Sequence, residues 1–341
     1  MVMEILSETK IYVWAPAGIA TGGPEALHQL VYQLRNSLKI NAFMYYVTLN
    51  NTTYDNPVHK EYEKYNNPYV LEIDDNSKNI LIVPEDFNGI STIINFKRIK
   101  ILVWWLSVDN YYMLRLSMEL NISIEEIKRN HCFAIRYYKD IDLTKDNYLK
   151  RSIYHLTQCK YAEEHLMKRG FKNLFYLGDY LNEDYLNEDF NIKDKRDIVV
   201  YNPSKGFEFT TKIIRNSEYL RYIPISGRNR NQVKNLLKHS KVYIDFGYFP
   251  GKDRIPREAA MMGCCIISGK KGSANYHDDL PIPDNYKFDN EEENISNIIN
   301  KIQDCIYNYE INLENFTNYR HIIKLEKENF IQNLQYLFIK K

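Results

Sequence analysis

The chain has 341 residues, with 45 Lys and Arg against 44 Asp and Glu for a net charge of +1, and this length suffices for two domains with separate cores. Near-neutrality, without an arginine-rich arm, zinc-finger spacing or RNP-like motif, argues against a nucleic-acid partner. The strongest apolar run, "ILVWWLSV", is strand-sized and far short of the roughly 18 residues of a membrane span, and the opening "MVMEILSETK" does not read as a signal peptide. Cys132, Cys159, Cys264, Cys265 and Cys305 show no CxxC or Cys/His metal spacing and read as reduced, mostly buried thiols of a cytoplasmic protein.

"KIYVW" (10–14) predicts a strand, and the loop "APAGIATGG" follows it. Leu27, Leu30, Val31, Leu34 and Leu38, three to four apart, predict a helix opening at Pro24. Strand, glycine loop and helix together open a doubly wound α/β domain. Gly18, Gly22 and Gly23 precede the helix N-terminus, where backbone amides can approach a phosphate or sugar. The pattern is neither GxGxxG nor a P-loop, which disfavours ATP hydrolysis and a standard NAD site. His28 reads as a helix-surface histidine. Strands follow at "NAFMYYV" (41–47), "NILIVP" (79–84) and "KILVWWLSV" (100–108). Asp109, just past the last of these, reads either as a general base or sugar-hydroxyl ligand or as a structural strand-end aspartate. Residues 155–178 read as strand, helix and strand, which closes a first domain, 1–178.

"YLNEDYLNED" (180–189) is an acidic unit written twice, without core periodicity, and reads as part of a linker, 179–196. A second domain, 197–320, restarts the alternation. Strands are predicted at "DIVVYNP" (197–203), "YIPISG" (222–227), "KVYIDFG" (241–247) and "CCIISG" (264–269). Between them "NQVKNLLKHS" predicts a helix capped by Asn231, with Val233, Leu236 and Leu237 inward. Such alternation argues a parallel sheet flanked by helices. Ile295, Ile298, Ile299, Ile302 and Ile306 mark another amphipathic helix. The tail, 321–341, carries Ile323, Phe330, Leu334 and Phe338 on one stripe, which favours a terminal helix packed back on the first domain over one lying on a membrane.

The most informative stretch is "FPGKDRIPREAAMMG" (249–263). Asp253 and Pro256 suffice for a helix start, yet Lys252, Arg254 and Arg257 crowd the same turn. Cations there oppose the helix dipole unless an anion joins them, and a phosphate-bearing ligand would be such an anion. Ligands of open parallel sheets lie beyond the carboxyl ends of the strands, where this loop falls. The three cations could neutralise a diphosphate, and Glu258 could accept two ribose hydroxyls. Three more loops point to the same edge: "YNPSKGFEF" with Lys205 and Gly206, "ISGRNRNQV" with Arg228 and Arg230, and "SGKKGSANYHDD" with Gly269, Gly272 and Ser273. Taken singly, each is also an ordinary solvated turn.

The order of elements over nearly the whole chain, the glycine loop after the first strand and the segment "REAAMMGCCII" resemble GT-B glycosyltransferases of the bacterial polysaccharide type. The resemblance implies an α/β protein of two Rossmann-like lobes facing each other across a cleft, with the acceptor on the first lobe and a nucleotide-sugar donor on the second. By the same resemblance Glu258 matches the glutamate that binds the donor ribose, and Lys205 the lysine that binds the diphosphate. Many retaining members carry a second glutamate eight residues before the first; here that position is Pro250, with Asp253 as a candidate replacement, which leaves the stereochemistry open. The expected activity is hexosyl transfer to a glycan or lipid-linked acceptor in surface polysaccharide or glycoconjugate biosynthesis. It needs no metal or other cofactor, since no DxD-like pair stands at a strand end, and the protein is expected in the cytoplasm or at the inner face of the membrane, with at most peripheral contact. Asp109 and Asp253 are the catalytic candidates. Gly22, Gly23, Lys205, Gly206, Arg228, Lys252, Arg254, Glu258 and Ser273 are the donor-binding candidates. Two other readings share the same residues: a GT-B-like nucleotide-sugar epimerase, and a catalytically inactive binding subunit of an assembly complex, which Pro250 favours.

Overall fold

Short apolar runs bounded by glycine, proline and asparagine become the strands of two parallel sheets in the computed structural model, which describes residues 3–48, 54–129 and 142–340. The chain divides into one unit of Met1–Asp179 with Glu328–Lys341 and a second of Tyr180–Lys327. In the first unit the strands are β1 (Met3–Ile5), β2 (Lys10–Pro16), β3 (Asn41–Val47), β4 (Tyr69–Val70), β5 (Ile80–Pro84), β6 (Lys100–Trp105), β7 (Ser152–Thr157) and β8 (Leu174–Tyr176). Seven of them form an all-parallel sheet in the order β4-β3-β2-β5-β6-β7-β8.

Helix α1 (Gly22–Asn36) follows β2 and starts two residues before Pro24, burying Leu27, Leu30, Val31 and Leu34. Strand β6 stops at Trp105 because Ser107 turns the chain into α2 (Val108–Leu120). Trp104 and Trp105 are both fully buried. Trp104 Nε1 donates to the Leu177 carbonyl at 2.9 Å, and Trp105 Nε1 to His155 Nδ1 at 3.1 Å.

His28 is not at the helix surface. Its ring contacts the Pro24 carbonyl and the Tyr46 hydroxyl, both at 2.7 Å, and stacks on Tyr62 with centroids 4.2 Å apart. Burial lowers its pKa to about 4, and does the same to His155. In α3 (Lys160–Lys168), burial and then the nearby Arg169 and Lys168 charges bring His165 down to about 3.

The second unit holds β9 (Arg196–Tyr201), β10 (Arg221–Pro224), β11 (Ser240–Asp245), β12 (Cys265–Gly269) and β13 (Lys287–Phe288), parallel in the order β10-β9-β11-β12-β13. Residues 180–189, expected as a linker, fold into this unit. The reason lies in the repeat itself: Tyr180, Leu181 and Tyr185 turn inward, while Glu183 and Asp184 of the short helix α4 (Glu183–Leu186) stay outside. Helices α5 (Phe207–Arg215) and α6 (Arg230–Lys238) follow. The cap of α6 is Asn229, which closes a capping box with Gln232, rather than Asn231. Further on come α7 (Arg254–Met261), α8 (Ile295–Tyr307) and the long α9 (Thr317–Leu337).

The apolar stripe of the tail fills core: Ile323, Phe330, Leu334 and Phe338 are all buried. After α9 the chain ends in β14 (Phe338–Lys340), which pairs in parallel with β1. Among the described residues no helix is long and apolar enough to cross a membrane. Cys159, Cys264, Cys265 and Cys305 are buried and unbridged; Cys132 lies outside the described residues.

Candidate functional site

In the second sheet the chain order reverses between β9 and β11, which makes the loops after these two strands the natural ligand-binding edge. The first brings Lys205 and Gly206, the second residues 246–253. The loops can touch because Gly206 has φ +64 and no side chain; a Cβ there would lie 2.4 Å from the Phe246 carbonyl oxygen. The loop after β12 closes on the same place. Gly272 bridges to Phe249, and the buried Ser273 donates its N–H to the Phe249 carbonyl at 2.9 Å and its hydroxyl to the Gly251 carbonyl at 2.6 Å. Ser273, expected at the donor, also fastens the charged loop through these two bonds.

Three charge groups line these loops. In the first, Lys205 Nζ is paired with the Asp253 carboxylate, lies 3.3 Å from Asp245 Oδ2 and sits over the Phe249 ring. Burial works against its charge, but the two aspartates hold its pKa above the usual lysine range. Asp245 ends β11 with no side-chain exposure and accepts from the Tyr243 hydroxyl and the Gly247 N–H, each at 2.9 Å. Asp253 stands at the N-cap of α7 but caps no backbone N–H. Its carboxylate turns to Lys205 instead, and burial pushes its pKa up against that pull.

The second group answers the question of the crowded helix start. Lys252 and Arg257 are paired with the two oxygens of one carboxylate, Glu326 on α9, at 2.7 and 2.9 Å. Arg257 is fully buried and also donates to the carbonyls of Asp253 and Lys252. The anion that relieves the helix dipole is therefore part of the protein. Lys252, expected to face a diphosphate, is ion-paired with Glu326 in this structure.

Glu258 belongs to the third group. Burial raises its pKa, while the charges of Arg254 and Arg230 pull it down. Arg228, expected at the donor, is exposed and folds back on its own loop, donating to the Pro224 and Ser226 carbonyls. It lines a shallow groove of about 520 Å³ with Gly227, Gln232, Asn235 and Leu236. The neighbouring Arg230 is the one whose charge acts on Glu258. Taken together, five cations (Lys205, Arg230, Lys252, Arg254, Arg257) meet four carboxylates (Asp245, Asp253, Glu258, Glu326). Asp245 was legible as a charged residue ending the apolar strand "VYID"; Glu326 gave no local signal.

In the first unit Gly22 and Gly23 form the first turn of α1. A Cβ on Gly23 would make only ordinary contact with Leu106, at 3.8 Å, so packing does not require glycine there. Asp109 is buried in the first turn of α2. Sequence reasoning missed Glu85, just past β5, which accepts the Leu106 N–H at 2.7 Å and whose pKa is pushed up to about 8 by burial.

No protein-family model matches the chain, and no curated protein matches its sequence. Solved structures do match. The chain is similar to the lipopolysaccharide outer core galactosyltransferase WaaB in its apo form, at 13% identity over 96% of this chain and 99% of that one, with a TM-score of 0.59. Against Anabaena Alr3699/HepE in complex with UDP-glucose the identity is 10%, over 96% of this chain and 100% of that one, with a TM-score of 0.58. For WaaG, a glycosyltransferase involved in lipopolysaccharide biosynthesis, the figures are 10%, 95%, 98% and 0.54. The fold, α/β with two parallel-sheet Rossmann-like units, is GT-B.

Proposed function

We propose that the protein is a glycosyltransferase that takes a hexose from a nucleotide-diphosphate sugar held at the loops after β9 and β11. The observation that carries this reading is the gathering of Lys205, Arg254 and Glu258 at the switch point of the second sheet, beside two loops whose close approach depends on Gly206. The complex of a fold neighbour with UDP-glucose supports the donor class. Lys205 and Arg254 meet the diphosphate and stabilise the charge that develops as the glycosidic bond breaks, without a metal. Glu258 accepts the ribose hydroxyls, and Asp253 is the carboxylate nearest in sequence to the position that Pro250 leaves empty. The acceptor is a glycan or lipid-linked sugar of a surface polysaccharide or glycoconjugate pathway, bound by the first unit near Asp109 and Glu85.

Thermal shift with UDP, GDP, CMP and their sugars tests the donor, because a ligand that binds only the folded state raises the melting temperature. Glu258→Gln should keep the fold and bind nucleotide about 10- to 150-fold more weakly, the scale of one charge-assisted hydrogen bond. A panel in which no nucleotide raises the melting temperature would overturn the function. An unchanged affinity in folded Glu258→Gln would remove that residue from the site.

A further inference from the structure

We propose that donor binding moves Lys205 from its two aspartates to the diphosphate, and that Asp253 then takes up a proton from solvent and donates a hydrogen bond toward the donor. This rests on the donor reading above and adds to it a proton that travels with the substrate.

The argument begins with a shortage of positive charge. One ammonium serves two carboxylates, Asp245 and Asp253, in a place where side chains are largely removed from water. A diphosphate brought to the same ammonium competes with both. Once Lys205 turns to the phosphates, the two aspartates face each other with less counter-charge, and like charges that close cannot both stay ionised easily.

Their other partners decide which one yields. Asp245 keeps two donors, the Tyr243 hydroxyl and the Gly247 N–H. Asp253 caps no N–H of α7. The charged and titratable groups that act on it include Lys205 from the loop after β9, Asp245 and Tyr243 from β11, Arg257 from α7 and Tyr319 from α9, with Lys252 and Arg254 beside it in the chain. Of the cations other than Lys205, Arg257 and Lys252 are already paired with Glu326, at 2.9 and 2.7 Å, and the charge of Arg254 acts on Glu258. Asp253 is therefore the group left without support. The proton comes from solvent on binding and returns to it when the diphosphate leaves; no covalent bond to the protein is made.

The test is calorimetric titration of the full chain with UDP-glucose, and with GDP-mannose in parallel, in buffers of different ionisation enthalpy at neutral pH. The diphosphate of these esters does not titrate in that range, so any proton taken up belongs to the protein. Uptake should approach about one proton per donor, and affinity should fall by up to about tenfold per pH unit as pH rises, because the bound state holds the extra proton. Asp253→Asn should bind the donor without proton uptake and with an affinity nearly flat in pH. Binding by the unaltered protein with no uptake would overturn this inference alone, as would uptake that persists in Asp253→Asn. Failure of UDP-, GDP- and CMP-sugars alike to bind would overturn the donor reading and this inference together. The measurement on the unaltered chain decides the matter even if the variant does not fold.

Discussion

Glu326→Gln is expected to destabilise the second unit by about 3–5 kcal/mol, the usual cost of removing one partner from a buried ion pair. The magnitude follows from burial. Arg257 is fully buried, the Lys252 side chain is 9% exposed, and both are paired with one carboxylate that is itself 4% exposed. The substitution leaves two desolvated cations at a helix N-terminus, where the dipole also opposes them. A surface pair would cost at most about 1 kcal/mol, so the two cases are well separated. Urea denaturation followed by circular dichroism measures the difference, with Glu328→Gln, an exposed position on the same helix, as the control. A loss below about 1 kcal/mol would mean that Glu326 is an ordinary surface partner.

The second large effect is acid sensitivity of the first unit. His28, His155 and His165 titrate at about 4, 4 and 3 in the folded chain, against about 6.5 when unfolded. Their contribution is fully present above the unfolded value and is lost as pH falls toward the folded ones. Between pH 7 and 5 each removes about 2 kcal/mol. Glu85 acts the other way: with a folded pKa of about 8, it returns about 2.5 kcal/mol over the same interval. For these four groups the net loss is about 3 kcal/mol. Trp14, Trp104 and Trp105, the only tryptophans of the chain, all lie in the first unit. Tryptophan fluorescence therefore reports that unit, and its melting midpoint should fall between pH 7 and 5. His165→Gln should flatten the slope by about two thirds. A midpoint that does not move would show that the rings are protonated in the folded chain.

Much of this architecture was readable in advance, because strand-length apolar runs and helical spacing are local properties. "NAFMYYV" is β3 residue for residue, and Ile295 to Ile306 lie on α8. Errors came where two local signals competed. Asn229 and Asn231 are both able to cap α6, and only the side-chain exchange with Gln232 selects the first. "WWLSV" is apolar except for Ser107, and it is there that the extended run ends. The acidic repeat misled because Tyr180 and Tyr185 carry its burial, which a window dominated by Asn, Glu and Asp conceals. That Lys205, Asp253, Arg254 and Glu258 share a charge cluster could be read because each stands beyond the end of a strand. The pairing of Lys252 and Arg257 could not, since their carboxylate lies about seventy residues downstream and is brought in only by the packing of α9.

The division of α9 between the units bears on how the protein is made. The second unit is a single continuous stretch, Tyr180–Lys327. The first unit needs both: β1 is paired by β14, and the Trp104 ring has Phe330 beside it at 6.1 Å. During synthesis the N-terminal strands leave the ribosome early but must wait for residues 328–340 before their core can close. Domains that fold as they emerge usually complete in order from the N-terminus. Here the half translated first is the half finished last, and a nascent chain stalled before Glu328 would carry a folded second unit behind an incomplete first one.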